Sequence, residues 1–478
     1  MAVGHRADAL VLFGISGDLA RKKLFSALWA IHQRGRLNVP VVGVALSDWD
    51  DEDLRAHARS ALAEHGIRPS DEAWSGFAAL LRYVKGDYSD PDLYARIKDA
   101  LGGAHLPVVY LAIPPSLFEV VVEGIATVGL NATGRVVLEK PFGRDLASAR
   151  ELNAILRQRF PESAIFRIDH FLGKEPVQNL MVFRFANSML EPVWNRHYIR
   201  SVQVTMAESF GVEGRGSFYD RVGTLRDVVQ NHLLHTVSLL AMEPPISEDA
   251  DALRDETVKV MKAMHPLDPA QLVRGQYEGY RDEPGVTSHS DTETFVALAM
   301  EIDSWRWAGV PFSIRAGKAL AATVQEAVVE FKHPPRALFA DASYRPEPNV
   351  LRFRMKPDDQ ITLSMQAKLP GSRLVSRRVD LHVDYERELG GEGPEPYERL
   401  IDDAMSGDER LFARQDSVEA AWRVVEPVLK SHDRVHPYTR GGWGPPEAAR
   451  VLPDERQWYH AELPSREGGL AAVDDPRL

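Results

Sequence analysis

The chain reads as two joined units. Residues 1–175 form a doubly wound α/β unit, and residues 176–478 form an α+β unit on a large, mostly antiparallel sheet. Three observations predict this. In the first third, short continuous apolar runs alternate with helical stripes, as expected of parallel strands covered on both faces. After about residue 175, apolar and polar residues alternate one by one, the period of a strand in an antiparallel sheet. The length, 478 residues, is enough for two separate cores.

Ala9–Phe13 is apolar throughout and ends in glycine, a buried strand followed by a turn. Leu24, Leu28 and Ile31 then recur at i, i+4 and i+7, a helical stripe. Residues 39–45, 107–113 and 136–138 supply further short apolar strands, and another strand-like run ends in Asp169-His170. In the second unit Val202, Val204 and Met206 alternate with Ser201, Gln203 and Thr205, which predicts a strand with one wet face. Similar strands are expected at 292–301, 324–331, 351–355, 360–368 and 379–385, with helices over 222–242 and 417–429 packed on the sheet. The last 45 or so residues, rich in Pro, Gly and Trp, are expected to wrap the surface. No internal repeat is present.

An apolar fraction of 44% and a charged fraction of 26% are those of an ordinary globular protein. The net charge of −12 argues against nucleic acid or an anionic membrane as partner. A phosphorylated metabolite remains possible where cations are gathered locally. The absence of cysteine excludes disulfides, thiolate metal sites and cysteine nucleophiles. The Ala9–Phe13 run is too short for a signal peptide, and no apolar run approaches the roughly 20 residues that span a bilayer. A cytoplasmic protein is expected.

Four motifs carry chemistry. Gly14-Ile15-Ser16-Gly17-Asp18-Leu19-Ala20-Arg21 follows the first strand and opens a helix. Glycine permits a tight turn and close approach of a pyrophosphate, while the helix start offers free N–H donors. Glu139-Lys140-Pro141-Phe142-Gly143 lies at the C-terminal end of a strand, where open α/β sheets hold ligands, and Lys140-Pro141 is a candidate cis bond. In Arg167-Ile168-Asp169-His170-Phe171-Leu172-Gly173-Lys174-Glu175, one turn of chain can aim His170 and Lys174 at a single anion, leaving Asp169 to orient another group. In Arg226-Asp227-Val228-Val229-Gln230-Asn231-His232-Leu233-Leu234, His232 shares a helical face with Leu225, Val228 and Val229. On that pattern alone, a satisfied core histidine competes with a proton acceptor.

The third motif agrees at eight of nine positions with the R-I-D-H-Y-L-G-K-E substrate signature of glucose-6-phosphate dehydrogenases. The glycine turn resembles that family's G-x-S/T-G-D-L-A, the fourth motif its R-D-V-x-Q-N-H-L-L, and Tyr110-Leu111 with Pro114-Pro115 its cofactor-side Y-L-A-x-P-P loop. The similarity runs from Gly14 to at least Lys318. It implies a Rossmann-like dinucleotide-binding first unit, and a second unit for substrate binding and dimerisation. The activity it implies is oxidation of glucose 6-phosphate at C1 to 6-phospho-glucono-1,5-lactone, the first step of the oxidative pentose phosphate pathway. Hydride goes to NADP, with NAD as a second acceptor.

The resemblance makes His232 the general base and Asp169 its partner. It gives the sugar phosphate to His170, Lys174, Lys140, Glu208, Asp227 and Lys318. It gives the cofactor to Gly14, Ser16, Gly17, Asp18, Leu19, Arg21, Ser47, Tyr110 and Lys140. No metal is expected, since neither H-E-x-x-H nor a Cys/His spacing occurs. A homodimer is implied by the family.

Three positions depart from the family pattern. Leu46 stands where an arginine usually meets the 2′-phosphate, and Phe171 lacks a tyrosine hydroxyl. Thr323 stands where a second basic residue is common. Phe171 and Thr323 keep a dehydrogenase of another sugar or sugar phosphate open. An inactive dinucleotide-binding sensor and a carboxylate-based glycoside hydrolase are weaker rivals, the first opposed by His232, Asp169 and Lys140, the second by the glycine turn.

Overall fold

A computed structural model describes residues 6–340, 344–390, 393–431, 433–453 and 456–460. The first sheet contains β1 (Ala9–Phe13), β2 (Val41–Ala45), β3 (Leu81–Lys85), β4 (Pro107–Leu111), β5 (Arg135–Glu139) and β6 (Ile165–Ile168). All six are parallel, in the order β6-β5-β4-β1-β2-β3. On β1, Leu10 and Leu12 enter the core on one face, while Ala9, Val11 and Phe13 enter the core on the other. Two covered faces explain the unbroken apolar run. Helix starts are fixed locally. Asp50 accepts from the backbone of Glu52 and Asp53 to begin Asp51–Glu64, and Asp145 accepts from Ser148 to begin Leu146–Arg159.

The second sheet uses β7 (Ile199–Ala207), β8 (Leu272–Tyr277), β9 (Phe295–Met300), β10 (Phe312–Gly317), β11 (Val324–Phe331), β12 (Val350–Lys356), β13 (Gln360–Lys368) and β14 (Ser376–Asp384). A two-residue β15 (Phe412–Ala413) and β16 (Val435–Tyr438) follow. The order is β14-β13-β12-β11-β7-β10-β9-β8-β16, antiparallel except at β7–β10 and β8–β16. Helices including Gln415–Leu429 bury one face, where Val202 and Val204 meet Leu225, Val229, Leu233 and Trp422.

β7 departs from expectation. Ser201, Gln203 and Thr205, expected to be wet, are each 3% exposed. Residues near the C-terminal end of the described chain lie over that face. Gln203 donates to the Gln457 carbonyl and accepts from the Tyr459 N–H at 2.9 Å. The surface-wrapping tail thus satisfies polar side chains that would otherwise need water.

The chain also returns to the first sheet. β15 pairs antiparallel with β6, and the helix Pro396–Ser406 buries Leu400, Ile401, Ala404 and Met405 in the first core. The segment 396–413 thus packs with the first sheet, although it lies within 176–478.

Candidate active site

The glycine turn follows β1. Gly14 has φ +81°, and a Cβ there would run into the Ala112 carbonyl oxygen, so only glycine fits. Its N–H bonds Val44 O at 2.9 Å, and Gly17 N–H bonds Gly14 O at 2.9 Å. Ser16, Gly17, Asp18 and Leu19 lead into a helix that runs through Ala20–Leu24 into Phe25–Gln33. Asp18 pairs with Lys22 at 2.9 Å. This close backbone and fresh helix start suit a pyrophosphate.

The rim at the end of β2 is more particular. Leu46 is 64% exposed. Arg21 is tied to Glu64, with its Nε 2.9 Å from a carboxylate oxygen. Asp48 pairs with Lys85 at 2.7 Å, and Ser47 offers its carbonyl to Tyr83 at 2.8 Å. Tyr110 does not line this rim. Its side chain has no exposed surface and its hydroxyl is spent on Glu139, so it reaches a ligand only through the residues it holds.

The chemical centre lies where β5 and β6 end, facing the helical segment Leu225–Leu233. That segment is wound as a π-helix, a widened turn frequent at functional sites. It starts at Gly223, whose φ of +67° breaks the helix. A Cβ on Gly223 would lie 2.5 Å from the Glu293 carboxylate. Glu293 accepts from Leu225 N–H at 3.1 Å and is held by buried Arg274 at 2.9 Å. The helix that carries His232 is thereby anchored to β8.

His232 is 3% exposed and Asp169 2%. His232 Nδ1 lies 2.8 and 3.0 Å from the two Asp169 oxygens, one of which also accepts from Phe171 N–H at 3.0 Å. Nδ1–H therefore donates to Asp169, and Nε2 keeps its lone pair. Lys140 Nζ stands 2.9 Å from Nε2 and 3.3 Å from the Asp227 carbonyl. The Lys140–Pro141 bond is cis. Burial pushes the His232 pKa below the usual imidazole value and Lys140 adds to that, while Asp169 opposes it. Burial alone would raise Asp169, yet His232 and Lys140 hold it well below the carboxylate range.

The loop that carries His170 and Lys174 adjoins this centre. The His170 ring lies 5.1 Å from His232, and burial with neighbouring positive charge pushes its pKa down to about 3. Phe171 is fully buried, 4.9 Å from the His232 ring, and Lys174 Nζ sits 5.2 Å over its face. Lys174 is pushed down by burial and next by the Lys356 ammonium at the end of β12. A second cation thus stands here although Thr323 offers none. Thr323 instead bonds Ser209 at 2.9 Å.

On the far wall Lys318 pairs with Glu208, and its Nζ lies 5.1 Å over the Tyr219 ring. Asp227 is half-buried on the first turn of the π-helix.

Asp169, His170 and His232 also bring possible metal-ligand atoms within 4.8 Å. The Lys140 ammonium at Nε2 opposes a cation there, and Nδ1 is already committed to Asp169.

Reasoning from sequence missed Glu139, Tyr397 and Lys356. Tyr397 and Lys356 lie far along the chain from the motifs they join, and no spacing signals them. Glu139 lies within the Glu139–Gly143 motif, where its neighbour Lys140 carries the only evident chemical signal.

The site sits inside a chain with close relatives. Residues 11–179 match the model "Glucose-6-phosphate dehydrogenase, NAD binding domain", and residues 181–460 match "Glucose-6-phosphate dehydrogenase, C-terminal domain". Glucose-6-phosphate 1-dehydrogenase 1 of Mycobacterium tuberculosis is 46% identical over 462 residues, covering 96% of this chain and 98% of that protein. The crystal structure of glucose-6-phosphate 1-dehydrogenase from Mycobacterium avium superposes with a TM-score of 0.90 at 45% identity, covering 96% of this chain and all of that one. A glucose-6-phosphate dehydrogenase in complex with its substrate gives 0.89 at 36% identity, with the same coverage.

Proposed function

Since the chain belongs to the glucose-6-phosphate dehydrogenase family, whose enzymes are oxidoreductases, we propose that His232 is the base of its cleft and NADP its preferred acceptor. The protein oxidises glucose 6-phosphate at C1 to 6-phospho-glucono-1,5-lactone. The observation that carries the assignment of residues is the line Asp169–His232–Lys140, in which the helical segment bearing His232 meets the ends of β5 and β6. Asp169 fixes the tautomer, so that Nε2 faces the cleft as acceptor. With sugar bound, Nε2 takes the C1 hydroxyl proton and Asp169 stabilises the imidazolium formed.

The nicotinamide, when bound, supplies the hydride acceptor. Gly14 and the helix start beyond Gly17 suit its pyrophosphate, and Lys140 borders both cofactor and sugar. Lys174 and Lys356 gather charge for the phosphate and the neutral His170 ring offers it an N–H donor, while Glu208, Asp227 and Lys318 orient the ring hydroxyls. Rates of nicotinamide reduction with glucose, glucose 6-phosphate and other hexose phosphates test this. Equal kcat/KM on glucose and glucose 6-phosphate overturns the phosphate assignment.

For the acceptor, Leu46 withholds the usual 2′-phosphate partner, which leaves Arg21 and Lys22 at the start of the first helix, and Ser47 beside Leu46, to meet that group. NADP is therefore ahead of NAD by a small factor, and a kcat/KM ratio above roughly 10³ would refute that. A cytoplasmic homodimer is the setting we assign. The outer strands leave Met365, Val379, Leu381 and Val383 each more than 40% exposed, an apolar face suited to a second copy. Among the described residues no helix is long and apolar enough to cross a membrane. Sedimentation of Leu381→Asp should show monomers where the unaltered chain shows dimers, and a dimer in both sinks this face. Recovery of the protein with membranes on cell fractionation would contradict the compartment.

A further inference from the structure

The loop that carries His170 and Lys174 does not rest only on its own strand. The helix Pro396–Ser406, far along the chain, lies against it at three points. Arg399 donates to the Gly173 carbonyl at 3.2 Å and pairs with Glu175. Gly173 has no side chain to spare, since a Cβ there would sit 3.2 Å from Leu400. The third point is Tyr397, whose ring lies nearly parallel to the His170 ring, at 13° and 6.1 Å between centroids.

The same tyrosine turns its hydroxyl to Glu139, which also accepts from Tyr110. Glu139 ends β5 and immediately precedes Lys140. Tyr397 therefore touches the phosphate histidine with its ring and the base of the catalytic lysine with its hydroxyl. Two buried hydroxyls on one carboxylate leave little freedom at that strand end.

We infer that Tyr397 is a positioning residue for glucose 6-phosphate, acting through His170. His170 has no strong partner of its own among the described residues, and a flat ring stacked on its face restricts rotation of the imidazole. The hydroxyl–Glu139 bond in turn fixes the tyrosine ring. Substrate phosphate then meets an imidazole already oriented toward it, which lowers KM more than it raises kcat. This inference rests on the reading of His170 as a phosphate ligand.

A double-mutant cycle on the full-length enzyme tests it, with steady-state kinetics on glucose 6-phosphate and thermal melting of every variant. Tyr397→Leu should raise KM for the sugar phosphate about tenfold, with kcat held within roughly threefold. In a His170→Ala background, adding Tyr397→Leu should change KM by less than about twofold. Tyr397→Phe keeps the ring and should restore KM to within about threefold of the unaltered enzyme. Full additivity with His170→Ala overturns the inference. So does a Tyr397→Leu defect that falls equally on kcat and KM with a lower Tm, or a Tyr397→Phe variant as poor as Tyr397→Leu. If His170→Ala itself leaves KM unchanged, the phosphate reading fails and this inference falls with it.

Discussion

Lys140 Nζ lies 2.9 Å from His232 Nε2, the ring atom we assign as acceptor of the sugar proton. An ammonium there cannot stay in place while the C1 hydroxyl docks on the same lone pair. The sugar hydroxyl must displace or share it, and the positive charge then lies beside the oxygen that loses its proton. On that reading one lysine is both the resting partner of the base and a ligand of the reacting groups.

Removing the base should be severe and confined to chemistry. His232→Asn is expected to lower kcat by about 10²–10⁴ with little change in KM, read by steady-state rates. A variant keeping more than a tenth of kcat would remove His232 from the role.

The pH profile carries a sign. Burial and Lys140 both lower the His232 pKa, so the acid limb of kcat/KM should lie below about 6.5, the ordinary imidazole value. Replacing Lys140 with Met removes a positive neighbour and favours the imidazolium. Its acid limb should therefore move to higher pH, on top of a large fall in rate. A limb that stays fixed or moves down would show that the ammonium does not act on Nε2.

The phosphate corner should depend on Lys356. Lys356→Gln is expected to raise KM for glucose 6-phosphate several-fold, leave rates on glucose unchanged, and flatten the dependence of KM on salt. An unchanged KM would leave the phosphate to Lys174 and the neutral His170 ring, without help from Lys356.

Cofactor choice should respond to Glu64. Its carboxylate competes with a 2′-phosphate for Arg21, whereas NAD brings no such group. Glu64→Gln should improve kcat/KM for NADP by about two- to fivefold and leave NAD alone, a small factor because solvent screens an exposed pair. Equal shifts for both cofactors would place Arg21 outside the discrimination.

Gly223→Ala should lower stability by roughly 1–3 kcal/mol or more, because it forces a side chain into left-handed backbone and against the Glu293 carboxylate. Thermal melting and kcat should fall together, since the same glycine starts the helix that carries His232.

Much of this was legible in advance for identifiable reasons. β1, β11 and β13 fall where their patterns place them, because each is long or uniformly apolar enough to override alternatives. β3, Leu-Arg-Tyr-Val-Lys, went unread: an edge strand with exposed Arg82 and Lys85 shows no apolar run. β7 was misjudged on one face because the segment that dries it comes from about 250 residues away. The histidine, aspartate and lysine of the centre were readable because they sit in compact motifs. Tyr397 was not, since its partner His170 is 227 positions earlier and only the fold joins them.

The return of the chain to the first sheet bears on how far the protein can be divided. A fragment ending near residue 180 would carry the whole glycine turn and β1 to β6, yet leave bare the apolar groove that Leu400, Ile401 and Met405 seal. It would also free the outer edge of β6, an invitation to pair with other chains. The nucleotide-binding half is therefore not a detachable module. Shuffling it onto a different substrate domain would require a replacement for the strap at 396–413, so the two halves are tied to evolve as one piece.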